Sequence, residues 1–250
     1  MQGLISRVEP EQTYQSFLES NNALVPREFI LNHGLHLDLI LRKVPFGSDY
    51  CCDFMYLTKS TVRWHCVLVE IEKPHSRFFK DASSDFHRDF MSALEQINNW
   101  RAWFSSVDNK KSFLGNSIGF LRSPAMSPTV DIKYVLVHGR RKEIENNSIR
   151  LGKVMAQERD DFRIMSYDGL AENLSSRWEA YIAAKKNDHV QILSSKFVGE
   201  GIFSWLEPET IRINEELRAD TETYRRKINS MKFVDNQPIR CIDHYLDVTS

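Results

Sequence analysis

The chain has no apolar run near the roughly 18 residues that crossing a bilayer requires. Its start, MQGLISRVEPEQ, lacks the basic and then apolar segments of a secretory leader. The expectation is a soluble, cytoplasmic protein. Net charge is also scarce: 33 Lys and Arg stand against 34 Asp and Glu, for a net charge of −1. That balance excludes a global basic field, so a nucleic-acid partner would have to be met by a local patch. Cysteine is limited to Cys51, Cys52, Cys66 and Cys241, none at Cys-x-x-Cys spacing. Vicinal Cys51 and Cys52 are poorly placed to bridge each other, so reduced thiols are expected rather than a disulfide framework or a thiolate metal site. No internal repeat and no low-complexity segment is present.

What the chain does have is 250 residues, 42% of them hydrophobic, enough for a substantial core. Residues 10–21 read as a short helix, with Tyr14, Phe17 and Leu18 on one face. Residues 35–43, 49–57 and 61–72 read as three strands. The last two are joined at Lys59 and Ser60 as an antiparallel hairpin. Phe86, Phe90, Ala93, Leu94, Ile97, Trp100 and Phe104 mark a long amphipathic helix. An irregular connection over 105–131 precedes a strand at 132–137. A helix at 148–158, a strand at 162–167 and a helix at 168–186 complete the pattern. The expected fold is α/β, a mixed sheet flanked by helices, over residues 1–186. Residues 187–250 are expected to be an extension containing one long charged helix at 207–231, whose thin apolar stripe suits oligomerisation or DNA contact.

The segment VLVEIEKP, residues 67–74, places Glu70 and Glu72 at the end of an apolar strand. Side chains alternate along a strand, so these two share a face while Ile71 and Lys73 share the other. Neighbouring carboxylates repel unless a cation or solvent separates them. Asp53, on the partner strand, would face Glu70 and make a three-carboxylate cup suited to Mg²⁺ or Mn²⁺. Such an ion polarises a phosphodiester and acidifies water. Gln96 and Trp100 share a face of the long helix, and Glu11 and Gln15 are one turn apart on the first. Ordinary solvated faces remain the alternative reading for each of these pairs.

Asp53, Glu70-Ile71-Glu72-Lys73-Pro74 and Gln96-Ile97-Asn98-Asn99-Trp100 together resemble the PD-(D/E)xK nuclease superfamily. More narrowly, they resemble the Shedu anti-phage nucleases. The likeness runs from about Glu11 to Leu170 through EQTYQSFLESNNALV, CDFMYL, LVEIEKP, ALEQINNWRAWF, YVLVHGRR and FRIMSYDGL. It implies a restriction-endonuclease-like core and a metal-dependent DNA endonuclease in phage defence. Double-stranded DNA would be the substrate, and a homo-oligomer, a tetramer above all, the assembly. Asp53, Glu70 and Glu72 would hold the metal, with Glu11 and Gln96 as accessory groups. Glu72 stands where the superfamily usually has a lysine. Lys73, one residue later, replaces that lysine only if a bulge re-aims it. Arg77, Lys80, Arg88, Arg101, Arg140 and Arg141 would contact DNA, with Lys110, Lys111 and Lys142 as further candidates. A catalytically impaired module that keeps the fold to bind DNA or a partner is the competing reading, and the shifted lysine favours it. A purely structural oligomer is the third.

Overall fold

The computed structural model describes residues 2–121, 129–172, 180–194 and 210–212. Among the described residues, eight strands form one mixed sheet in the order β5-β4-β3-β2-β1-β6-β7-β8. They are β1 (Leu35–Phe46), β2 (Tyr50–Lys59), β3 (Trp64–Ile71), β4 (Val130–Val137), β5 (Phe162–Met165), β6 (Tyr181–Lys185), β7 (Val190–Ser194) and β8 (Ile211–Arg212). β1, β2 and β3 are antiparallel neighbours, whereas β3, β4 and β5 run parallel. The C-terminal ends of β3, β4 and β5, at Ile71, Val137 and Met165, therefore gather at one end of the sheet. Open sheets with parallel strands characteristically place ligands there.

The helices are α1 (Gln2–Ile5), α2 (Glu11–Ser20), α3 (Arg88–Ser105), α4 (Val107–Ser112), α5 (Ser148–Met155) and α6 (Tyr167–Leu170). His87 caps α3 by accepting the Asp89 amide at 3.2 Å, and Asp89 places a negative charge in the first turn. Phe90, Ala93, Leu94, Ile97, Trp100 and Phe104 of α3 are buried on one face of the sheet. There Phe46 contacts the rings of Trp100, Phe104 and Phe113. Truncating a buried ring of this kind to alanine costs about 3–5 kcal/mol. Tyr14 and Leu18 of α2, with Tyr167 and Leu170 of α6, cover the other face over Val67, Val69 and Ile71. β3 is buried along its whole length, as a strand covered on both faces must be.

The hairpin, the long helix and the strands at 130–137 and 162–165 follow the pattern expected from the sequence. The turn between β2 and β3 lies later than Lys59 and Ser60, because Lys59 still pairs with Trp64 and Ser60 N donates to the Arg63 carbonyl. The connection over 105–131 is more ordered than expected, with α4 and a π-turn at Phe113–Ser117; residues 122–128 of it lie outside the described residues. A helix over 168–186 does not form. It stops at Leu170, and Tyr181–Lys185 is a strand whose Ile182 and Ala183 are fully buried between β1 and β7. Alanine and lysine favour helix locally, but tertiary burial overrides that preference. Nor does the sheet stop at 186, since β7 and β8 extend it. Within the helix expected at 207–231, Ile211 and Arg212 form a strand, and the remainder lies outside the described residues except Thr210.

Candidate active site

The register that pairs Phe54 with Val69 brings Asp53 beside Glu70. The register that pairs Arg42 with Phe54 and Val44 with Cys52 brings Lys43 beside Asp53. Lys43, at φ 45°, lies in the left-handed region, an uncommon conformation for a residue with a side chain. Apolar alternation breaks at that point: Leu39 and Leu41 face the α3 layer, and so do Val44 and Phe46.

Asp53 is only 2% exposed. Its Oδ2 accepts the Ile71 amide at 2.8 Å, and its Oδ1 accepts from the Lys43 ammonium. Glu70 points to the α3 face, where Gln96 Nε2 donates to Oε1 at 2.6 Å. Its Oε2 is buried with no hydrogen-bond partner. Glu72 lies just past the end of β3. Its amide donates to the Val137 carbonyl, its carbonyl accepts from the Tyr167 hydroxyl, and Ser76 Oγ donates to its carboxylate at 3.5 Å. Glu11 opens α2 on the other face of the sheet, close enough to act electrostatically on Glu72. Lys73 is exposed and acts on Glu11.

Burial, reinforced by the Asp53 charge, holds the Glu70 carboxyl well above the usual range, against the opposing effects of the Gln96 hydrogen bond and of Lys43. Burial followed by the Glu11 charge pushes Glu72 up to about 7. Glu11 is raised by burial and then by Asp53, against Lys43 and Lys73. Burial opposes the Lys43 charge, but the hydrogen bond and charge of Asp53, helped by Glu70 and Glu11, outweigh it and raise the ammonium pKa. Such a crowd of carboxylates favours a cation.

Among the described residues, no three His, Cys, Asp or Glu side chains converge closely enough to hold a metal ion by themselves. The fit rests instead on two carboxylates. Glu70 Oε2 is an orphaned, buried acceptor, and Asp53 is its charged neighbour. One or two carboxylates, with water and substrate oxygens completing the shell, is how Mg²⁺ is commonly bound.

The basic residues divide into two groups. Arg101 binds Asp161 in a two-pronged contact at 2.7–3.0 Å. The Asp161 carbonyl accepts from the Tyr134 amide where β5 begins, level with the middle of β3 rather than with its C-terminal end at Glu70. Arg140 forks onto Asp168 at 2.8–3.0 Å and reaches the Ile5 carbonyl. Arg141 pairs with Glu172 at 2.5 Å. On the site's side, Arg77 pairs with the exposed Asp81, while Lys80 and Arg88 are exposed. Arg77, Arg140, Lys142 and His75 line an open cavity of about 500 Å³ beside Pro74. A second cleft, of about 520 Å³, runs along α3 past Gln96, Asn99 and Cys51. Gly139, at φ 56°, keeps the 139–143 turn against the loop after Glu72, since a Cβ there would lie 2.6 Å from the Ser76 carbonyl.

Sequence reasoning placed Asp53, Glu70 and Gln96 together, and the structure joins them by register and a hydrogen bond. It missed Lys43. The pairing of β1 with β2 sets Lys43 opposite Asp53, but the left-handed backbone that aims it there is announced by no pattern in the sequence.

Among curated proteins no relative matches the chain. The family described as Shedu protein SduA, C-terminal, matches residues 8–171. That span runs from just before α2 to just past α6 and contains Lys43, Asp53, Glu70, Glu72 and Gln96. Membership points to a part in defence against phage, and the chain belongs to the Shedu family.

Proposed function

We propose that the protein is a metal-dependent DNA endonuclease acting in anti-phage defence, with a core of the PD-(D/E)xK type. The observation that carries this reading is the Asp53–Glu70 pair at the C-terminal end of β3, with Glu70 Oε2 buried and unpartnered. Asp53 and Glu70 would hold Mg²⁺ or Mn²⁺, which supplies a Lewis acid for a phosphate oxygen and lowers the pKa of water. Glu72 then has a role its neighbours suit it for. A carboxyl held at about 7 accepts a proton from an attacking water near neutral pH. The phosphodiester loses one of its ester oxygens as the new P–O bond forms, and the departing oxygen takes up a proton. Gln96 fixes Glu70 Oε1 so that Oε2 stays turned to the reacting centre. Double-stranded DNA reaches the site past Arg77, Lys80, Arg88 and Lys142, whose charges are on the surface.

Two observations favour the second reading, a nuclease-fold module that binds DNA without cutting it. A lysine ammonium already neutralises Asp53, and Glu72 replaces the strand lysine. Incubation of the purified protein with supercoiled plasmid and Mg²⁺ or Mn²⁺ separates the readings. Relaxed circles that disappear in Glu70→Ala support the enzyme. DNA binding with no cleavage under any divalent cation sinks it.

A further inference from the structure

We infer that Lys43 is the resident cation of this site, holding the place beside Asp53 that a divalent ion takes when it binds. The inference rests on the metal-site reading above and adds an exchange to it. Each carboxylate has one oxygen committed elsewhere. Asp53 Oδ2 is taken by the Ile71 amide, and Glu70 Oε1 by Gln96. The oxygens left for an incoming ion are Asp53 Oδ1 and Glu70 Oε2. Glu70 Oε2 has no partner, and Asp53 Oδ1 is the atom to which the Lys43 ammonium donates.

A buried carboxylate beside a second one needs a compensating positive charge. Lys43 supplies it when no ion is present, with Glu70 and Glu11 near enough to add to its hold. Its side chain is 43% exposed while that of Asp53 is 3% exposed. The ammonium can therefore swing into water on a flexible four-carbon stem while the carboxylate stays fixed. The left-handed backbone at Lys43 turns the residue out of the strand's regular alternation. Such backbone outliers concentrate where function demands a particular side-chain direction. Two cations competing for one oxygen is a linkage: whatever Lys43 contributes to the ion-free site, an incoming ion must overcome.

The test is calorimetric titration of the full chain with Mn²⁺, comparing the unaltered protein with Lys43→Met and Lys43→Arg. Melting curves are recorded with and without the ion. In ion-free buffer, Lys43→Met melts lower, because Asp53 is left uncompensated. Its Mn²⁺ affinity rises about tenfold, since the competitor is gone, and Mn²⁺ raises its melting temperature more than that of the unaltered chain. Lys43→Arg keeps the charge and binds Mn²⁺ no more tightly than the unaltered protein. Equal or weaker Mn²⁺ binding by Lys43→Met overturns the exchange while leaving the metal site standing. Absence of Mn²⁺ binding in all three proteins overturns the metal site and the exchange together. If Lys43→Met does not fold, tighter binding by Lys43→Arg than by the unaltered chain is the overturning result.

Discussion

Arg101 and Asp161 meet where β5 begins and β4 is in its first half; Lys43, Asp53 and Glu70 meet where β3 ends. Both are ionic clusters on one sheet, but they are finished to different degrees. In the first cluster a planar guanidinium matches both oxygens of one carboxylate, the geometry in which charge is best satisfied. In the second cluster one ammonium serves a pair of carboxylates, and a Glu70 oxygen is left over in the protein interior. An unpaired buried acceptor weakens a fold by about 1–3 kcal/mol. A cluster that only held the sheet together would gain by completing its hydrogen bonds, as Arg101 and Asp161 do. On the proposed function, the Glu70 oxygen left over at the end of β3 is the one an incoming ion would take.

The substitution that breaks this contrast most sharply is Glu70→Gln. It keeps the shape of the side chain and removes the carboxylate that a cation would bind. Plasmid nicking is expected to fall on the order of 100-fold or more, while the melting temperature at pH 7 stays the same or rises. A variant that nicks normally would erase the distinction between the two clusters. Arg101→Ala is the reciprocal case: it strands Asp161 and is expected to destabilise the fold by roughly 1.5–3 kcal/mol in urea unfolding. A stability loss within error would show that the first pair is ornamental to the fold.

The effect of pH sharpens the comparison further, because the site and the core respond with opposite signs. His138 is fully buried between Phe78 and Phe90; the Arg77 carbonyl acts on its ring without meeting hydrogen-bond geometry. Burial lowers its pKa to about 4 from the usual 6.5. The unfolded chain therefore binds the extra proton first, and stability falls as pH drops from 6.5 toward 4, by on the order of 3 kcal/mol. Glu72 works the other way. Its carboxyl is held at about 7 against the usual 4.5, so the fold retains a proton that the unfolded chain has released. Its contribution falls as pH rises across that window. Urea unfolding of His138→Leu and Glu72→Gln from pH 4 to 8 should flatten the acid limb and the neutral limb respectively. Identical pH profiles for both variants and the unaltered chain would refute the assignment. The smallest expected effect is that of Lys142→Ala at the mouth of the basic cavity. DNA affinity should fall a few-fold at any sequence, and the salt dependence should lose about one unit of slope.

Much of this was legible in the sequence because β2 and β3 obey simple alternation. Alternation marked both strands, but a turn at Lys59 and Ser60 would set Asp53 opposite Cys66; the later turn, which leaves Lys59 paired with Trp64, is what brings Asp53 to Glu70. The helical period put Gln96 on the face of Trp100, at the edge of the buried stripe of α3, and its place in the site was implied by the resemblance. Lys43 escaped because its position depends on a left-handed residue within a strand, which no local pattern announces. The pairs Arg101–Asp161 and Arg140–Asp168 escaped for another reason. They span 60 and 28 residues, and a lone arginine reads equally well as a DNA contact or as half of an ion pair. The strand at Tyr181–Lys185 was misread because its sequence favours a helix until β1 and β7 bury it.

The most direct measurement is the melting temperature of the unaltered chain and of Asp53→Asn with Mn²⁺ added stepwise to metal-free protein. An ion bound at Asp53 and Glu70 stabilises only the folded state. The unaltered chain should melt progressively higher with Mn²⁺, and Asp53→Asn should not respond. A flat response in the unaltered chain, or an equal rise in both proteins, would contradict a divalent cation site at the end of β3.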